Sequence, residues 1–494
     1  MSQSSTSRDG GNRQGTGSSS SGNRVIRMDR IKSIFNPPKA LHDGEYEPLN
    51  DGFTDDSGTI EGSVYEDYDA EEEAPFSWIE YAIFALIGVA MLWAWNMFLA
   101  AAPYFQIRFS NDEWILQNSQ SAITSVSTVT NLVTMAILTN IQSSANYPFR
   151  INSGLFLSIG VFGFLSISTT YFVDVSATAY LVFLLLMVCL SALAAGLMQN
   201  GAFAFAASFG RPEYTQAIMA GQGVAGILPP LAQMVSFLAV PPSTPSSSES
   251  GDDNDAAREA GAAAFMYFLT AVAVSAATIA AFVPLVRRHN KLIERRMTAE
   301  MAASVTTLEE AERAARHFVS IPTLFRKLRW VSASVFMCFA VTMFFPVFTS
   351  KILSVRNEET DGRLFAPGAF IPLAFFFWNL GDLLGRVSTM LPFSLRHRPV
   401  ALFAISLARL LFLPLYLLCN IRGKGAVVQS DLFYLVLIQL PFGLTNGWLG
   451  SSAMMAAGEW VGEGEREAAG GFMGTCLVAG LSAGSVLSFT ANGI

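Results

Sequence analysis

Charged residues are scarce in this chain of 494 residues. Lys, Arg, Asp and Glu together make up 14% of it, and hydrophobic residues make up 51%. A soluble domain carries roughly 25% charged residues. So little charge cannot cover a water-exposed surface, and most side chains must therefore face lipid or other helices. The composition argues against a cytosolic enzyme, a disordered scaffold and a nucleic-acid-binding protein.

Motifs for metals and nucleotides are also missing. No Gly-x-x-x-x-Gly-Lys-Ser/Thr loop occurs, which argues against an ATP-driven pump. The four histidines lie in polar segments, and the four cysteines lie in apolar stretches without paired spacing. We therefore predict no metal, no cofactor, no disulfide and no enzymatic activity. The cysteines are Cys189, Cys338, Cys419 and Cys476.

The net charge of -8 belongs to the start of the chain. Residues 1–77 carry 7 Lys and Arg against 15 Asp and Glu, and the remaining residues carry 24 of each kind. The segment is rich in Ser, Gly and acidic residues and lacks the apolar region of a signal peptide, so we predict a disordered acidic tail. Its Glu45-Tyr46-Glu47-Pro48-Leu49 stretch resembles an acidic sorting signal for endosomal or vacuolar membranes, although such patches are common in disordered tails.

Long apolar runs begin at Trp78 and recur to the end of the chain. A helix needs about 20 apolar residues to cross the hydrocarbon of a bilayer. Eleven runs reach this length, which predicts an all-α polytopic membrane protein with eleven transmembrane helices. The predicted spans are 78–105, 115–139, 151–173, 177–208, 214–240, 261–286, 329–350, 366–392, 398–421, 431–458 and 467–494.

The distribution of Lys and Arg predicts the orientation of these spans. Residues 287–328 carry nine of them and should form a cytosolic connector, whereas the Ser- and Asp-containing loop 241–260 should lie on the opposite side. The N-terminal tail is then cytosolic and the C-terminus extracytosolic. The connector divides the body into an N-terminal six-helix bundle, 78–286, and a C-terminal five-helix bundle, 329–494. Within it, 297–318 is predicted to be an amphipathic helix.

A group of polar residues interrupts the eighth predicted span. Asn379, Asp382 and Arg386 share one face of a helix, and Gly381 and Gly385 permit close approach of another helix. Charges inside a membrane are costly and mark either structural pairs or functional sites. Two interpretations follow: a buried ion pair that only holds two helices together, or a polar face that binds a polar, uncharged solute.

Other spans carry isolated polar groups. Arg409 in the ninth span either balances Asp382 or extends to the membrane surface. Gln199 and Asn200 interrupt the fourth span, and their amides suit a ligand with mixed donors and acceptors, such as a base or a ribose. Trp95 in the first span offers a flat face for stacking, although Trp is common in membrane helices.

Taken together and in order, these signatures resemble the equilibrative nucleoside transporter family, with the look of a fungal member. The resemblance covers about 78–494. It rests on Trp95-Asn96, Gly196-Leu197-Met198-Gln199-Asn200-Gly201, Tyr214-Thr215-Gln216-Ala217-Ile218-Met219-Ala220-Gly221-Gln222-Gly223, Phe345-Pro346, the Asn379/Asp382/Gly385/Arg386 set, Arg409 with Phe412, Pro414 and Cys419-Asn420, Gly447-Trp448-Leu449-Gly450-Ser451, and Gly484-Ser485 through Ser488-Phe489.

The resemblance implies a 6+5 arrangement like that of the major facilitator proteins. It also implies that Trp95 and Gln199 contact a nucleoside and that Asp382 and Arg386 contact the ribose hydroxyls or gate the path. By the same resemblance, Asn379 supports that polar face, and Phe345 and Leu481 line the cavity. Many relatives have Pro before the Trp-Asn pair, and the Ala94 of this chain leaves the kink of the first span open.

The predicted function is facilitated transport of purine and pyrimidine nucleosides by alternating access, with nucleobases as a wider substrate class. The chain shows no relay of intramembrane carboxylates, which favours passive transport. The alternatives are a proton-coupled nucleoside symporter and, in a different class, a non-transporting membrane receptor or scaffold. The predicted location is a vacuolar, endosomal or plasma membrane, in contact with lipid and not with nucleic acid. No oligomeric state is predicted.

Overall fold

The computed structural model describes residues 76–141, 146–172, 175–239, 252–303, 319–356, 361–392 and 394–488. These ranges all fall within one compact unit, 70–494. The predictions for the acidic tail and its sorting signal, for 304–318 of the connector and for the C-terminal residues 489–494 lie outside the described residues.

The described residues form eleven helical elements, α1 to α11, and contain no β-strand. Short helical segments extend four of them: Ala102–Arg108 follows α1, Phe344–Thr349 follows α7, Arg409–Leu411 with Phe412–Tyr416 continues α9, and Ala457–Glu459 continues α10. Two short 3-10 turns, Arg363–Phe365 and Glu463–Glu465, precede α8 and α11. The bounds are α1 Trp78–Ala100, α2 Glu113–Asn140, α3 Tyr147–Tyr171, α4 Ala177–Ser208, α5 Pro212–Ala239, α6 Asp252–Ala303, α7 Ile321–Thr342, α8 Pro367–Ser388, α9 Pro399–Ala408, α10 Leu440–Ala456 preceded by the π-helical turn Phe433–Gln439, and α11 Arg466–Ser488.

These elements confirm the all-helical prediction. Ten of the helices are long and apolar enough to cross a membrane within the part of the chain that is described. The eleventh element, α10, is helical over the predicted span but begins with the π-helical turn Phe433–Gln439. α6 departs from the prediction, because it continues to Ala303 and makes the first part of the expected connector helical.

Local sequence signals fix several helix starts. Oδ1 of Asp112 accepts a hydrogen bond from the backbone nitrogen of Ile115 at 3.0 Å, and Oδ1 of Asn146 accepts one from Phe149 at the same distance. Such caps satisfy backbone donors that have no partner inside the helix. They place the starts of α2 and α3 close to the predicted span boundaries.

Glycines bring α8 and α10 into backbone contact. A Cβ atom on Gly381 would lie 2.2 Å from the oxygen of Leu440, and one on Gly447 would lie 1.9 Å from the oxygen of Asp382. Neither position can hold a larger residue without moving a backbone. The close approach predicted for the glycines of the eighth span is therefore confirmed, and it sets the distance between Asp382 and the side chains of α10.

The helices pack as two groups, called here the first half (α1–α6) and the second half (α7–α11). Within the first half α1 packs on α5 and α3 on α4 and α6; within the second half α8 packs on α10 and α7 on α11. The halves meet where α5 packs on α8 and where α2 and α4 pack on α11. This arrangement agrees with the expected 6+5 architecture.

The hydrophobic core is continuous at one end of the bundle and divided at the other. One cluster joins both halves near the start of α1 and includes Phe84, Phe203, Leu328 and Leu449. Two further clusters lie toward the opposite end, one within each half. We call the first end the Trp78 end. The halves are thus packed together at the Trp78 end and enclose space between them further along.

Candidate functional site

A cavity of about 350 Å³ lies between the two halves. Its apolar wall includes Met91, Trp95, Phe339, Trp378 and Leu481. The volume is at the lower end of the range of about 300–1,000 Å³ that is typical of small-molecule sites. Its polar lining consists of Thr124, Ser127, Thr128, Asn131, Gln199, Gln222, Thr342, Asn379, Asp382, Arg386, Asn446, Ser482 and Ser485.

Asp382 and Arg386 form a buried ion pair in the cavity wall. Nε of Arg386 donates to Oδ2 of Asp382 at 2.7 Å, and the arginine and the aspartate are 6% and 3% exposed. The other carboxylate oxygen, Oδ1, accepts a hydrogen bond from Nδ2 of Asn446 at 2.7 Å. A carboxylate has about four lone-pair sites, so both oxygens can still accept a hydrogen bond from a solute.

Arg386 also reaches across to the first half. Its Nη1 donates to the backbone oxygen of Met219 at 2.8 Å and to Oε1 of Gln222 at 3.3 Å. Nε2 of Gln216 donates in turn to the backbone oxygen of Arg386 at 3.0 Å. The predicted ion pair is therefore not confined to one half, because its arginine bonds α8 to α5.

Four further predicted residues line the same cavity: Trp95, Gln199, Asn379 and Leu481. Gln199 is 8% exposed, and its amide has no hydrogen-bond partner among the described residues, so its donors and acceptors face the cavity. Nδ2 of Asn379 donates to the backbone oxygen of Phe375 at 2.8 Å, which fixes the orientation of that side chain.

Phe345 and Asn200 lie outside the cavity wall, unlike their predicted positions. Phe345 stacks on the lining residue Trp378 with ring centroids 4.2 Å apart, so it supports the wall from behind. Asn200, 1% exposed, accepts a hydrogen bond from Arg150 and donates to Oγ1 of Thr139 at 3.3 Å. The position of Asn200, one residue after Gln199, turns its side chain to the neighbouring helices.

Arg409 follows neither of its two predicted alternatives in full. It is buried in the second half at 2% exposure, so it does not extend to a membrane surface. It makes no direct ion pair with Asp382. Nη1 donates to the backbone oxygen of Cys338, Nη2 donates to Oγ1 of Thr342 at 3.1 Å, and the guanidinium lies 4.7 Å from the ring centre of Phe442.

Sequence reasoning missed nine of the thirteen polar residues of the cavity wall, among them Gln222, Thr342 and Asn446. Asn446 interrupts an apolar span in the same way as Gln199 does, so the same signal was present in the sequence. Gln222 stands inside one of the family signatures, but nothing in the sequence places it beside Arg386. The position of Thr342 depends on the packing of α7 against α10.

Polar contacts close the cavity toward the Trp78 end. The hydroxyls of Thr139 and Thr475 are 2.6 Å apart, and Thr139 also donates to the backbone oxygen of Gly471 at 3.4 Å. These contacts join α2 to α11, and the Arg386 contacts join α8 to α5. The contact between the two halves along α5 and α8 continues to the opposite end. There, Nη2 of Arg363, which precedes α8, donates to the backbone oxygen of Phe237 at 2.9 Å.

The fold is similar to that of solved major facilitator transporters. The match to a structure of the major facilitator transporter FucP in the outward conformation spans 84% of this chain and 91% of the FucP chain. Its TM-score is 0.52, and the sequences are 13% identical. The match to a structure of a variant of the E. coli fucose:proton symporter FucP spans 84% of this chain and 92% of the FucP chain, with a TM-score of 0.51 and 12% sequence identity. Fold and cavity together define a polytopic helical membrane protein of the major facilitator architecture.

The chain belongs to the nucleoside transporter family, whose model matches residues 185–492. Nucleoside transporter FUN26 of Saccharomyces cerevisiae is 28% identical over 452 residues, which cover 83% of each chain. Human equilibrative nucleoside transporter 1 is 26% identical over 461 residues, which cover 83% of this chain and 96% of that protein. The resemblance read from the sequence motifs is confirmed, and the family is one of transporters and not of enzymes.

Proposed function

We propose that this protein carries nucleosides across a membrane by facilitated diffusion. One observation supports this most directly: an unpartnered amide, Gln199, and a buried ion pair, Asp382 and Arg386, line the same cavity between the two halves. A nucleoside is neutral and polar, with flat and hydroxylated parts, and this lining offers partners for both. The family and the names of its relatives point to the same substrate class.

The proposed contacts follow the chemistry of the wall. Trp95 offers a flat face on which the base stacks, and the Gln199 amide can both donate to and accept from the base edge. Asp382 accepts hydrogen bonds from the ribose hydroxyls, while Arg386 holds the carboxylate in place. Leu481 completes the apolar wall, and Asn379 and Phe345 support the residues beside them. Purine and pyrimidine nucleosides are the proposed substrates, and nucleobases the wider class.

Transport requires the cavity to open at the Trp78 end, where it is now closed. The contacts between Thr139 and Thr475 and between Arg386 and Met219 must then break. We propose that the two halves rock about the cavity and expose it alternately to each side of the membrane. The proposed bundles are 78–286 and 329–494, joined by the basic connector 287–328; the halves overlap them but reach further into the connector, because α6 continues to Ala303 and α7 begins at Ile321.

Passive transport is favoured over proton symport by the lining of the cavity. Among the described lining residues Asp382 is the sole carboxylate, and both of its oxygens accept hydrogen bonds from the protein. A proton-coupled carrier needs a group that binds and releases protons during the cycle. The described lining residues include no second carboxylate to form such a relay.

We further propose that the connector and the N-terminal tail face the cytosol and that the C-terminus faces the other side, in a vacuolar, endosomal or plasma membrane. The basic residues of the connector support this orientation. Protease protection of terminal tags in sealed vesicles tests the orientation, and imaging of the tagged chain identifies the membrane.

Uptake of labelled uridine and adenosine into proteoliposomes tests the proposed function. Saturable uptake that stops at equal concentrations, with or without an imposed pH gradient, is the expected result. Accumulation above equilibrium that appears only with the gradient would make the protein a symporter. A well-folded protein without uptake of any nucleoside or nucleobase would contradict the proposal and favour the receptor or scaffold alternative.

A further inference from the structure

Asn446 lies at the closest approach of α8 and α10. The neighbouring Gly443 and Gly447 leave no room for a Cβ atom against the oxygens of Trp378 and Asp382, at 2.0 and 1.9 Å. Asn446 itself is 1% exposed and lines the cavity beside Asp382. The two glycines therefore bring a buried amide to within hydrogen-bonding distance of the ion pair.

Both ends of the Asn446 amide are bonded. Nδ2 donates to Oδ1 of Asp382 at 2.7 Å, and Oδ1 accepts from the hydroxyl of Thr342 at 2.5 Å and from Sγ of Cys338 at 3.4 Å. An amide held at both ends cannot rotate without losing a bond. Because a buried polar group without a partner is costly, the bonds to Thr342 and Cys338 keep the amide nitrogen directed at Asp382.

The same series of hydrogen bonds begins at Arg409. Its Nη2 donates to Oγ1 of Thr342 at 3.1 Å, so Arg409, Thr342, Asn446 and Asp382 follow one another across the second half. Hydrogen bonds in series strengthen one another at low dielectric. A positive guanidinium at one end favours the direction in which the amide donates to the carboxylate at the other end.

We propose that Asn446 is a positioning residue for the nucleoside site, held in its orientation by Thr342 and Arg409. It holds Oδ1 of Asp382 while Arg386 holds Oδ2, so the remaining lone pairs of the carboxylate point in fixed directions into the cavity. A ribose hydroxyl then meets an oriented acceptor. This inference rests on the proposed function and adds to it the residue that orients the Asp382 contact.

The test compares adenosine with 2′,3′-dideoxyadenosine in the full-length Asn446→Leu variant in proteoliposomes. Leucine is close to asparagine in shape and has no hydrogen-bonding groups. Loss of an oriented hydrogen bond to a charged acceptor should raise the KM for adenosine about tenfold. The KM for the dideoxynucleoside should change less than about twofold, because it lacks the hydroxyls that meet Asp382. A merely structural role would weaken both substrates equally.

Thr342→Val provides a second variant if Asn446→Leu does not fold. It removes the hydroxyl between Arg409 and Asn446 and leaves the amide in place, so a smaller rise in the KM for adenosine alone is expected. Thr445→Val is the matched control, because the Thr445 hydroxyl donates to the backbone oxygen of Phe442 at 3.0 Å and lies outside the cavity wall.

The outcomes separate this inference from the proposed function. Wild-type uptake of adenosine with unchanged KM values in both variants would overturn the role of Asn446 and leave nucleoside transport standing. Equal rises for adenosine and the dideoxynucleoside would overturn it as well, because the effect would not pass through the ribose contact. Absence of nucleoside uptake by the wild-type protein would overturn both.

Discussion

Arg386 and Met219 lie on opposite halves of the bundle, and Nη1 of Arg386 donates to the backbone oxygen of Met219 at 2.8 Å. The same guanidinium binds Asp382 through Nε at 2.7 Å. The group that orients the proposed ribose contact therefore also joins the two halves on the closed side of the cavity. When substrate binding changes the hydrogen bonds of Asp382, it therefore also affects Arg386. The bond between Arg386 and Met219 must break when the Trp78 end opens.

Replacement of Asp382 by Ala should lower uptake of uridine at least tenfold. The substitution removes the proposed ribose acceptor and leaves Arg386 as a buried charge without its partner, which costs about 3–5 kcal/mol. Uptake normalised to the amount of folded protein in proteoliposomes gives the change in transport, and thermal unfolding of the purified variant gives the change in stability.

The Asp382→Ala/Arg386→Ala double variant separates folding from transport. It removes both charges, so stability should recover relative to either single variant, while transport remains lost. Recovery of transport together with stability would show that the pair only holds helices together. A single variant that loses expression and not activity per folded molecule would support the same structural interpretation.

Replacement of Gln199 by Ala should raise the KM for uridine about fivefold with little loss of stability. Its amide has no partner among the described residues, so removal breaks no protein hydrogen bond, whereas one lost bond to substrate is worth about 1 kcal/mol. Initial rates of uptake over a range of uridine concentrations measure the effect. An unchanged KM would remove Gln199 from the site.

Gln439 is the matched control for Gln199. It is fully buried away from the cavity; its Oε1 accepts from Tyr416 at 3.0 Å and its Nε2 donates to Thr349 at 2.8 Å. Gln439→Ala should therefore destabilise the protein by about 1–3 kcal/mol and leave the KM unchanged. If Gln199→Ala lowered stability without changing the KM, and Gln439→Ala raised the KM without lowering stability, the proposed substrate contact of Gln199 would be wrong.

Replacement of Asn200 by Ala should lower stability and leave the KM for uridine unchanged. The side chain bonds Arg150 and Thr139, and its loss leaves the buried Arg150 guanidinium with fewer partners, at a cost of about 1–3 kcal/mol. Thermal unfolding and uptake kinetics of the same preparation measure both quantities. A rise in KM without loss of stability would return Asn200 to the proposed substrate contacts.

The sequence was sufficient for the fold and for much of the proposed site, because both leave strong local signals. Apolar runs of membrane length predict the helices, and a charge inside such a run is rare enough to identify Asp382 and Arg386. The partners of these charges depend on distant helices. Asn446, 64 positions after Asp382, reaches it only because glycines let α10 approach α8, and spacing within one helix cannot show this.

The side of a helix on which a residue lies is also hard to predict without packing. Gln199 and Asn200 are adjacent and chemically alike, yet the first faces the cavity and the second faces Arg150. Phe345 was placed in the wall by resemblance, whereas here the large ring of Trp378 lies in front of it. Each difference arises from the neighbouring helix and not from the residue itself.

Replacement of Gly447 by Ala should destabilise the protein by about 1–3 kcal/mol, because the new Cβ would lie 1.9 Å from the backbone oxygen of Asp382 and force α8 and α10 apart. The same substitution at Gly163, inside α3, meets no atom within 4 Å and should stabilise the protein by about 0.5–1 kcal/mol. Thermal unfolding compares the two.

Separation of the helices also lengthens the bond between Asn446 and Asp382, so any folded Gly447→Ala protein should show a higher KM for adenosine. Equal stability of the two variants would contradict the close packing on which the geometry of the site depends.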